Sequence, residues 1–209
     1  MKFINKFINE PFAKTIANIM MLICYLLILL FTSGLVLSFI GRQTFILQTS
    51  TGIYNSAIYN ETNRDWTYRG PTVSLSDEIN VTAGANGQEI DLITHVGLFA
   101  MYAITMAPLI VCFWFLSRVF YNISKGVVFT EKNAIYLLYY SLIRIGVAIF
   151  VPFIKLFIAY LANQFTHSKI YIATGQNLLN DLIPNIAILV AAYIIHYGVH
   201  LQDEVDHTL

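Results

Sequence analysis

Four polar or ionisable side chains lie within the long apolar segments of this sequence and are the first candidates for chemistry: Lys155, Asp181, Asn185 and His196. An ionisable group inside a bilayer costs about 3 kcal/mol on insertion scales, so it needs a partner or a route to the interface. Steps of four and eleven residues bring Asp181, Asn185 and His196 to nearly the same face of a helix. We therefore expect these three to form an inward-facing polar stripe, with Lys155 within its reach.

Two interpretations of this candidate intramembrane polar network remain open. In one, Lys155 forms a structural ion pair with Asp181 or Asp91. In the other, the polar groups line a proton or ion pathway. The ion pair is favoured because the sequence places only one cation deep in an apolar segment.

The sequence offers little for metal binding or catalysis. His196 and His200 are four residues apart, as in a helical pair of metal ligands, but no thiol or carboxylate is expected at a matching depth. There is no HExxH motif, no Gly-x-Ser-x-Gly motif and no phosphate-binding glycine loop. We predict no metal, no cofactor and no enzymatic activity.

The composition is typical of a membrane protein. Hydrophobic residues make up 57% and charged residues 11% of the 209 positions, far from the balance of soluble domains. The 12 basic and 12 acidic residues cancel, which argues against direct nucleic-acid binding. Cys24 and Cys112 lie in apolar runs and are expected to be small buried side chains. The lipid bilayer is the first predicted partner.

The apolar runs predict an all-α membrane protein with four transmembrane helices. The predicted spans, TM1 to TM4, are 16–40, 92–120, 134–164 and 178–200. Segment 1–15 is either an amphipathic helix on the membrane surface or a disordered basic lead, with Pro11 limiting any helix to two short turns. The remaining segments are a polar stretch 41–91, a connector 121–133, an outer turn 165–177 and an acidic tail 201–209.

The polar stretch 41–91 predicts a small β-containing extracellular cap between the first two helices. Asp65–Arg69, Thr72–Ser76 and Glu78–Thr82 alternate apolar and polar side chains, and glycine-containing breakers separate them. So small a β-structure is marginal by itself. We expect it to dock on the helix ends or on a partner.

The second span combines a close-packing pattern with a helix breaker. Small residues recur at intervals of three or four from Gly97 to Ala107, which favours tight packing against a neighbouring helix. Pro108 lies mid-span and is expected to kink the helix.

The connector 121–133 predicts a turn followed by a capped helix. Gly126 favours the end of the preceding helix, and the Thr130 hydroxyl can cap the next one. Glu131 then complements the positive end of the new helix dipole.

The distribution of Lys and Arg predicts the topology. Three lysines precede the first span and share one side with the connector, so both termini and the connector are predicted to be cytoplasmic in a multi-pass protein of the cell membrane. On that side, basic and acidic groups are expected to form a cytoplasmic platform. Its members are Arg118, Lys125, Lys132, Arg144, Asp203, Glu204 and Asp206.

Two short groups of residues resemble motifs of a known family. The first comprises Gly126, Phe129-Thr130, Asn133 and Ile143–Gly146, and the second comprises Gly198, Leu201, Glu204, Asp206 and Thr208. Both resemble motifs of a bacterial four-span membrane family called domain of unknown function 2975. His207 stands where that family usually has an apolar residue, and the stretch 41–91 is particular to this chain.

The resemblance implies a four-span protein often encoded beside a small helix-turn-helix regulator. It favours a non-enzymatic sensor, regulatory or immunity-type protein, with an outer cap for recognition and a cytoplasmic platform for a protein partner or such a regulator. The alternative is a small transporter or pore that uses the polar groups of TM3 and TM4. In that alternative the pore belongs to an oligomer, with a homo-oligomer as one form, since the sequence shows no clear internal repeat.

Overall fold

A computed structural model describes residues 10–49, 52–55, 71–75, 79–82, 91–173 and 178–208. This part of the chain is mostly helical and contains four long helices. They are α1 (Glu10–Phe39), α2 (Leu92–Ser124), α3 (Glu131–Phe165) and α4 (Leu178–Thr208). Each is long and apolar enough to cross a membrane, which agrees with the four predicted spans.

The helices extend beyond the predicted spans. Helix α1 begins at Glu10, so Pro11 lies in its first turn, where a missing N–H removes no intrahelical hydrogen bond. Pro11 therefore starts this helix and does not limit it to two turns, while residues 1–9 of the predicted basic lead lie outside the described residues. Helix α4 continues to Thr208, so the predicted tail is helical over 201–208.

Two helices end in the same way, with a glycine in the left-handed region. Gly41 follows α1 with φ 80° and Gly126 follows α2 with φ 83°. The Arg42 N–H donates to Leu37 O, and the Val127 N–H donates to Asn122 O, which is the long hydrogen bond of a Schellman cap. The predicted helix end at Gly126 is confirmed.

Among the described residues, six short strands form two small sheets. The strands are β1 (Gln43–Thr44), β2 (Ile46–Thr49), β3 (Gly52–Asn55), β4 (Val73–Ser74), β5 (Ile79–Thr82) and β6 (Lys169–Ile172). β1 pairs with β4 in parallel. The other sheet has the order β3-β2-β5-β6, in which only the β2–β5 pair is parallel.

The sheets use more of the chain than the sequence indicated. Strands β4 and β5 lie within the predicted stretches Thr72–Ser76 and Glu78–Thr82, whereas Asp65–Arg69 lies outside the described residues. Strands β1 to β3 were not predicted. The segment 165–177, predicted as a turn, contributes β6, so the β-structure is not confined to the connection between the first two helices.

The chain divides into two compact units. The helical unit comprises Met1–Phe31, Pro108–Ala148 and Leu178–Leu209, and the sheet unit comprises Thr32–Ala107 and Ile149–Asn177. The boundary between the units falls at Pro108 within α2 and after Ala148 within α3. The Ala148 carbonyl lacks its helical hydrogen-bond donor, because residue 152 is proline. Helix α2 nevertheless remains one helix from Leu92 to Ser124.

The core of the sheet unit joins sheet and helix residues. Leu47, Val81 and Ile170 come from three neighbouring strands of the four-stranded sheet, and each is at most 6% exposed. They belong to the same cluster as Leu98 and Met101 of α2, which are fully buried. This burial against helices supplies what so small a sheet lacks by itself.

Candidate functional site

The four-stranded sheet has a core face and an opposite face. Leu47, Val81 and Ile170 are cross-strand partners, and all three are buried on the core face. Side chains alternate along each strand. The neighbours of these three residues in each strand occupy the other side in two cross-strand rows. One row is Ile53, Gln48, Thr82 and Lys169, and the other includes Ile46, Asn80 and Tyr171. We call this surface the polar sheet face.

The polar sheet face presents large side chains among polar ones. Ile53 is 71% exposed and Tyr171 is 56% exposed, and Gln48 is also exposed. Asn80, Thr82 and Lys169 are half-buried. An exposed aromatic and an exposed aliphatic side chain with amide, hydroxyl and ammonium neighbours are suited to binding another protein.

Asn163 of α3 holds β6 in place. Its Nδ2 donates to Ile170 O at 2.9 Å, and its Oδ1 accepts from the Ile170 N–H at 2.7 Å. Because β6 is an edge strand, Asn163 satisfies the main-chain groups that a further strand would otherwise bond. The Lys169 ammonium donates to the carbonyls of Asn163 and Thr166, which fixes the turn between α3 and β6.

Polar contacts also join this turn to the start of α2. The His167 N–H donates to Asp91 Oδ2 at 3.4 Å. The Thr166 hydroxyl, which is buried, lies 2.6 Å from Ser168 O. The turn is therefore tied both to its own helix and to the residue that precedes α2.

Two glycines in the sheet unit permit close packing of helices. A Cβ at Gly34 of α1 would overlap the Tyr102 hydroxyl of α2 and would lie 3.3 Å from Val73 Cγ1. A Cβ at Gly97 would lie 3.3 Å from Ala162 Cβ of α3. The predicted small-residue surface of the second span is thus a packing surface at Gly97.

In the helical unit, Asn133 organises the connector. Its Nδ2 donates to the carbonyls of Val127 and Val128 at 3.0 and 2.8 Å, and its Oδ1 accepts from Asn122 Nδ2 at 2.6 Å. Its N–H donates to Thr130 Oγ1 at 3.4 Å, so the predicted cap at Thr130 is present. Asn133 is 1% exposed, and one buried amide thereby fixes the whole turn.

The basic residues of the predicted platform differ in their surroundings. The Arg118 guanidinium lies 5.2 Å from the centre of the Trp114 ring, and the Lys125 ammonium lies 5.5 Å from the centre of the Tyr121 ring. Lys132 is exposed, and Arg144 is half-buried. The side chains of Asp203, Glu204 and Asp206 lie outside the described residues, so their pairing with these cations stays a prediction.

The candidate polar network of TM3 and TM4 is placed differently from the prediction. Lys155 is 8% exposed and shares the buried side of α3 with Val151 and Ala159. Asn185 is 4% exposed, but its Nδ2 donates to the main-chain carbonyl of Asp181 in its own helix.

Asp181 and His196 are both exposed. The inward-facing stripe is therefore reduced to Asn185 as its only buried member. Residues on one helix face are buried only where another element covers that level of the helix, which residue spacing alone does not show.

Within the described part of the chain, no group of three or more His, Cys, Asp or Glu side chains is arranged to hold a metal ion. Both cysteines are buried, and Cys112 Sγ lies 3.8 Å from Tyr140 O.

The sequence indicated some of these residues and missed others. The sequence marks Asn133 only through the motif that resembles the family, although an Asn three residues after a predicted cap is a reasonable candidate for bonding the turn. The sequence does not predict Asn163 or β6, because the short run Lys169–Ile172 is separated from a helix by only three residues, within a segment that is predicted to be a turn. The alternation in KIYI was the available signal.

Comparison with protein-family models, with curated proteins and with solved structures finds no match for this chain.

Proposed function

We propose that this chain is a non-enzymatic multi-pass protein of the bacterial cell membrane, of the sensor, regulatory or immunity type. In this proposal the sheet unit faces outward and its polar sheet face binds a protein partner. The termini and the connector are cytoplasmic, following the distribution of Lys and Arg. The resemblance to the family called domain of unknown function 2975 supports a regulatory role.

The observation that carries the proposal is the composition of the polar sheet face. Ile53 and Tyr171 are largely exposed on a sheet whose strand β6 is hydrogen-bonded to α3 through Asn163. A pre-organised surface loses less conformational entropy on binding than a flexible one. Binding here would also act directly on a helix end, because Asn163 belongs to α3 and Ile170 belongs to the sheet.

The connector provides the second half of the proposed function. The Asn133 hydrogen bonds give it one defined conformation, with Lys132 exposed beside it. A cytoplasmic protein, such as a helix-turn-helix regulator, would contact this end together with the acidic end of α4. This contact stays a prediction from charge and resemblance.

Site-specific photo-crosslinking in intact cells tests the recognition surface. A photoreactive phenylalanine analogue at Tyr171 or Ile53 is expected to give one discrete protein adduct. Ser74, which is exposed on the two-stranded sheet, is the matched control, and Leu29 of α1 is the control for a lipid-facing side chain. Equal adducts at all four positions, or none at Tyr171 and Ile53, would reject the proposed surface.

The alternative function is an oligomeric transporter or pore. The burial of Lys155 in α3 favours this alternative, because an intramembrane cation often marks an ion path. Ion flux in proteoliposomes should then fall in the Lys155→Met and Asp181→Asn double variant. Adducts between two copies of this chain in the crosslinking experiment would also favour it.

A further inference from the structure

The connector between α2 and α3 must lie at a membrane interface if its flanking helices span the bilayer. Both helices are long and apolar enough to do so. Only Lys125–Thr130 separate them. A loop of this length stays near the ends of its helices, where it meets lipid headgroups as well as water.

The tip of the connector is apolar and exposed. Val127 is 45%, Val128 is 43% and Phe129 is 71% exposed. Asn133 donates to the carbonyls of Val127 and Val128, so these two carbonyls are satisfied within the protein. Adjacent exposed apolar side chains are unfavourable in water but are stabilised at the boundary between headgroups and acyl chains.

Basic groups surround this apolar tip. Lys125 precedes it and lies over the Tyr121 ring, and Lys132 follows it and is exposed. The Lys14 side chain of α1 lies against Gly126, where a Cβ would be 3.5 Å from its Cε. Across residues 121–133 the sequence has a single acidic residue, Glu131.

We propose that the connector binds the headgroup of an anionic phospholipid. Lys125 and Lys132 contact the phosphate, while Val127, Val128 and Phe129 enter the leaflet beside the acyl chains. Positive charge complements the headgroup, and the apolar tip complements the lipid boundary, a combination that a soluble acidic protein would not match. The proposal concerns whichever leaflet the connector faces, so it does not depend on the proposed orientation. It shares Lys132 with the proposed contact to a cytoplasmic protein, so the lipid and that protein would compete for the connector.

Tryptophan fluorescence gives a direct test, because Trp114 lies in the turns of α2 that lead to the connector. The chain has two tryptophans, so Trp66→Phe makes Trp114 the sole reporter. The purified full chain is reconstituted in mixed vesicles of phosphatidylglycerol and phosphatidylcholine. In the first series of vesicles the phosphatidylglycerol carries brominated acyl chains. In the second series the phosphatidylcholine carries them.

Stronger quenching by brominated phosphatidylglycerol is expected, equivalent to a preference of about fivefold over phosphatidylcholine. The Lys125→Gln and Lys132→Gln double variant should lose that preference while keeping the quenching by brominated phosphatidylcholine. Arg42→Gln, which removes an exposed cation after the other end of α1, should keep it. Equal quenching by the two lipids, a preference that survives the double variant, or an equal loss in Arg42→Gln would each overturn the proposal.

Discussion

Asn163 and Ile170 are joined by two hydrogen bonds in which the side-chain amide of a helix residue pairs with both main-chain groups of a strand residue. This pair attaches strand β6 of the four-stranded sheet to α3, beside the packing of Ala159 and Ala162 against the same sheet. The strand that it holds, β6, comes from the connection between α3 and α4, whereas its neighbour β5 comes from the connection between α1 and α2. The sheet therefore unites two connections that are distant in sequence.

Loss of the Asn163 amide should release β6. Asn163→Ala leaves the Ile170 N–H and C=O without their side-chain partners, which should cost about 1–3 kcal/mol. Hydrogen exchange of Lys169–Ile172 in detergent micelles should accelerate, and the unfolding temperature should fall. Gln164→Ala, an exposed neighbour on α3, is the matched control. Unchanged protection of β6 in Asn163→Ala would show that the strand does not depend on this pair.

Asn133 should dominate the stability of the connector. Asn133→Ala removes the donors to Val127 O and Val128 O and also the acceptor for Asn122, which should cost about 2–3 kcal/mol. Asn122→Ala removes one of these bonds and should cost less. Lys132→Ala should stay within about 0.5 kcal/mol, because its side chain is exposed. Limited proteolysis ranks the variants by the rate of cleavage in the connector. A connector that is as resistant to cleavage in Asn133→Ala as in Lys132→Ala would contradict this prediction.

The contact between Gly34 and Tyr102 should appear as coupling between two substitutions. Gly34→Ala places a methyl group against the Tyr102 hydroxyl, and such overpacking costs about 1–3 kcal/mol. In Tyr102→Phe the hydroxyl is gone, so adding Gly34→Ala should cost less than it does in the original chain. Thermal unfolding of the single and double variants measures this coupling. Additive losses would mean that the two helices accommodate the methyl group elsewhere.

The structural interpretation of Lys155 makes a separate prediction. If Lys155 is paired with a carboxylate, Lys155→Met leaves that carboxylate unpaired and should cost about 3–5 kcal/mol. Adding Asp91→Asn or Asp181→Asn should recover stability only for the true partner. A stable Lys155→Met variant would reject the ion pair and leave the ion pathway as the remaining interpretation.

The sequence predicted what depends on local chemistry. Long apolar runs give the four helices, and the glycine at 126 and the threonine at 130 give the turn and the cap, because these features follow from the residues themselves. The sequence predicted less where tertiary contacts decide which segments form strands. The strand Lys169–Ile172 exists because β5, which is distant in sequence, and the Asn163 side chain bond to it, and the alternation of four residues does not show either partner.

The candidate polar network shows the same limit. The spacing of Asp181, Asn185 and His196 correctly describes one side of α4, yet only Asn185 is buried. Burial depends on which helix or strand covers each turn, and that information is not contained in the periodicity. The polar sheet face was likewise not predictable, because it requires the register of four strands.

We propose that the polar sheet face is occupied by a protein partner on the outside of the cell. The test labels Ile53→Cys and Ser74→Cys, each in a chain without Cys24 and Cys112, with a membrane-impermeant maleimide. In intact cells both positions should react. The ratio of the Ile53→Cys labelling rate to the Ser74→Cys labelling rate should be several-fold lower in cells than in the purified protein. Equal relative rates in cells and in the purified protein, or labelling that requires permeabilised cells, would contradict the account.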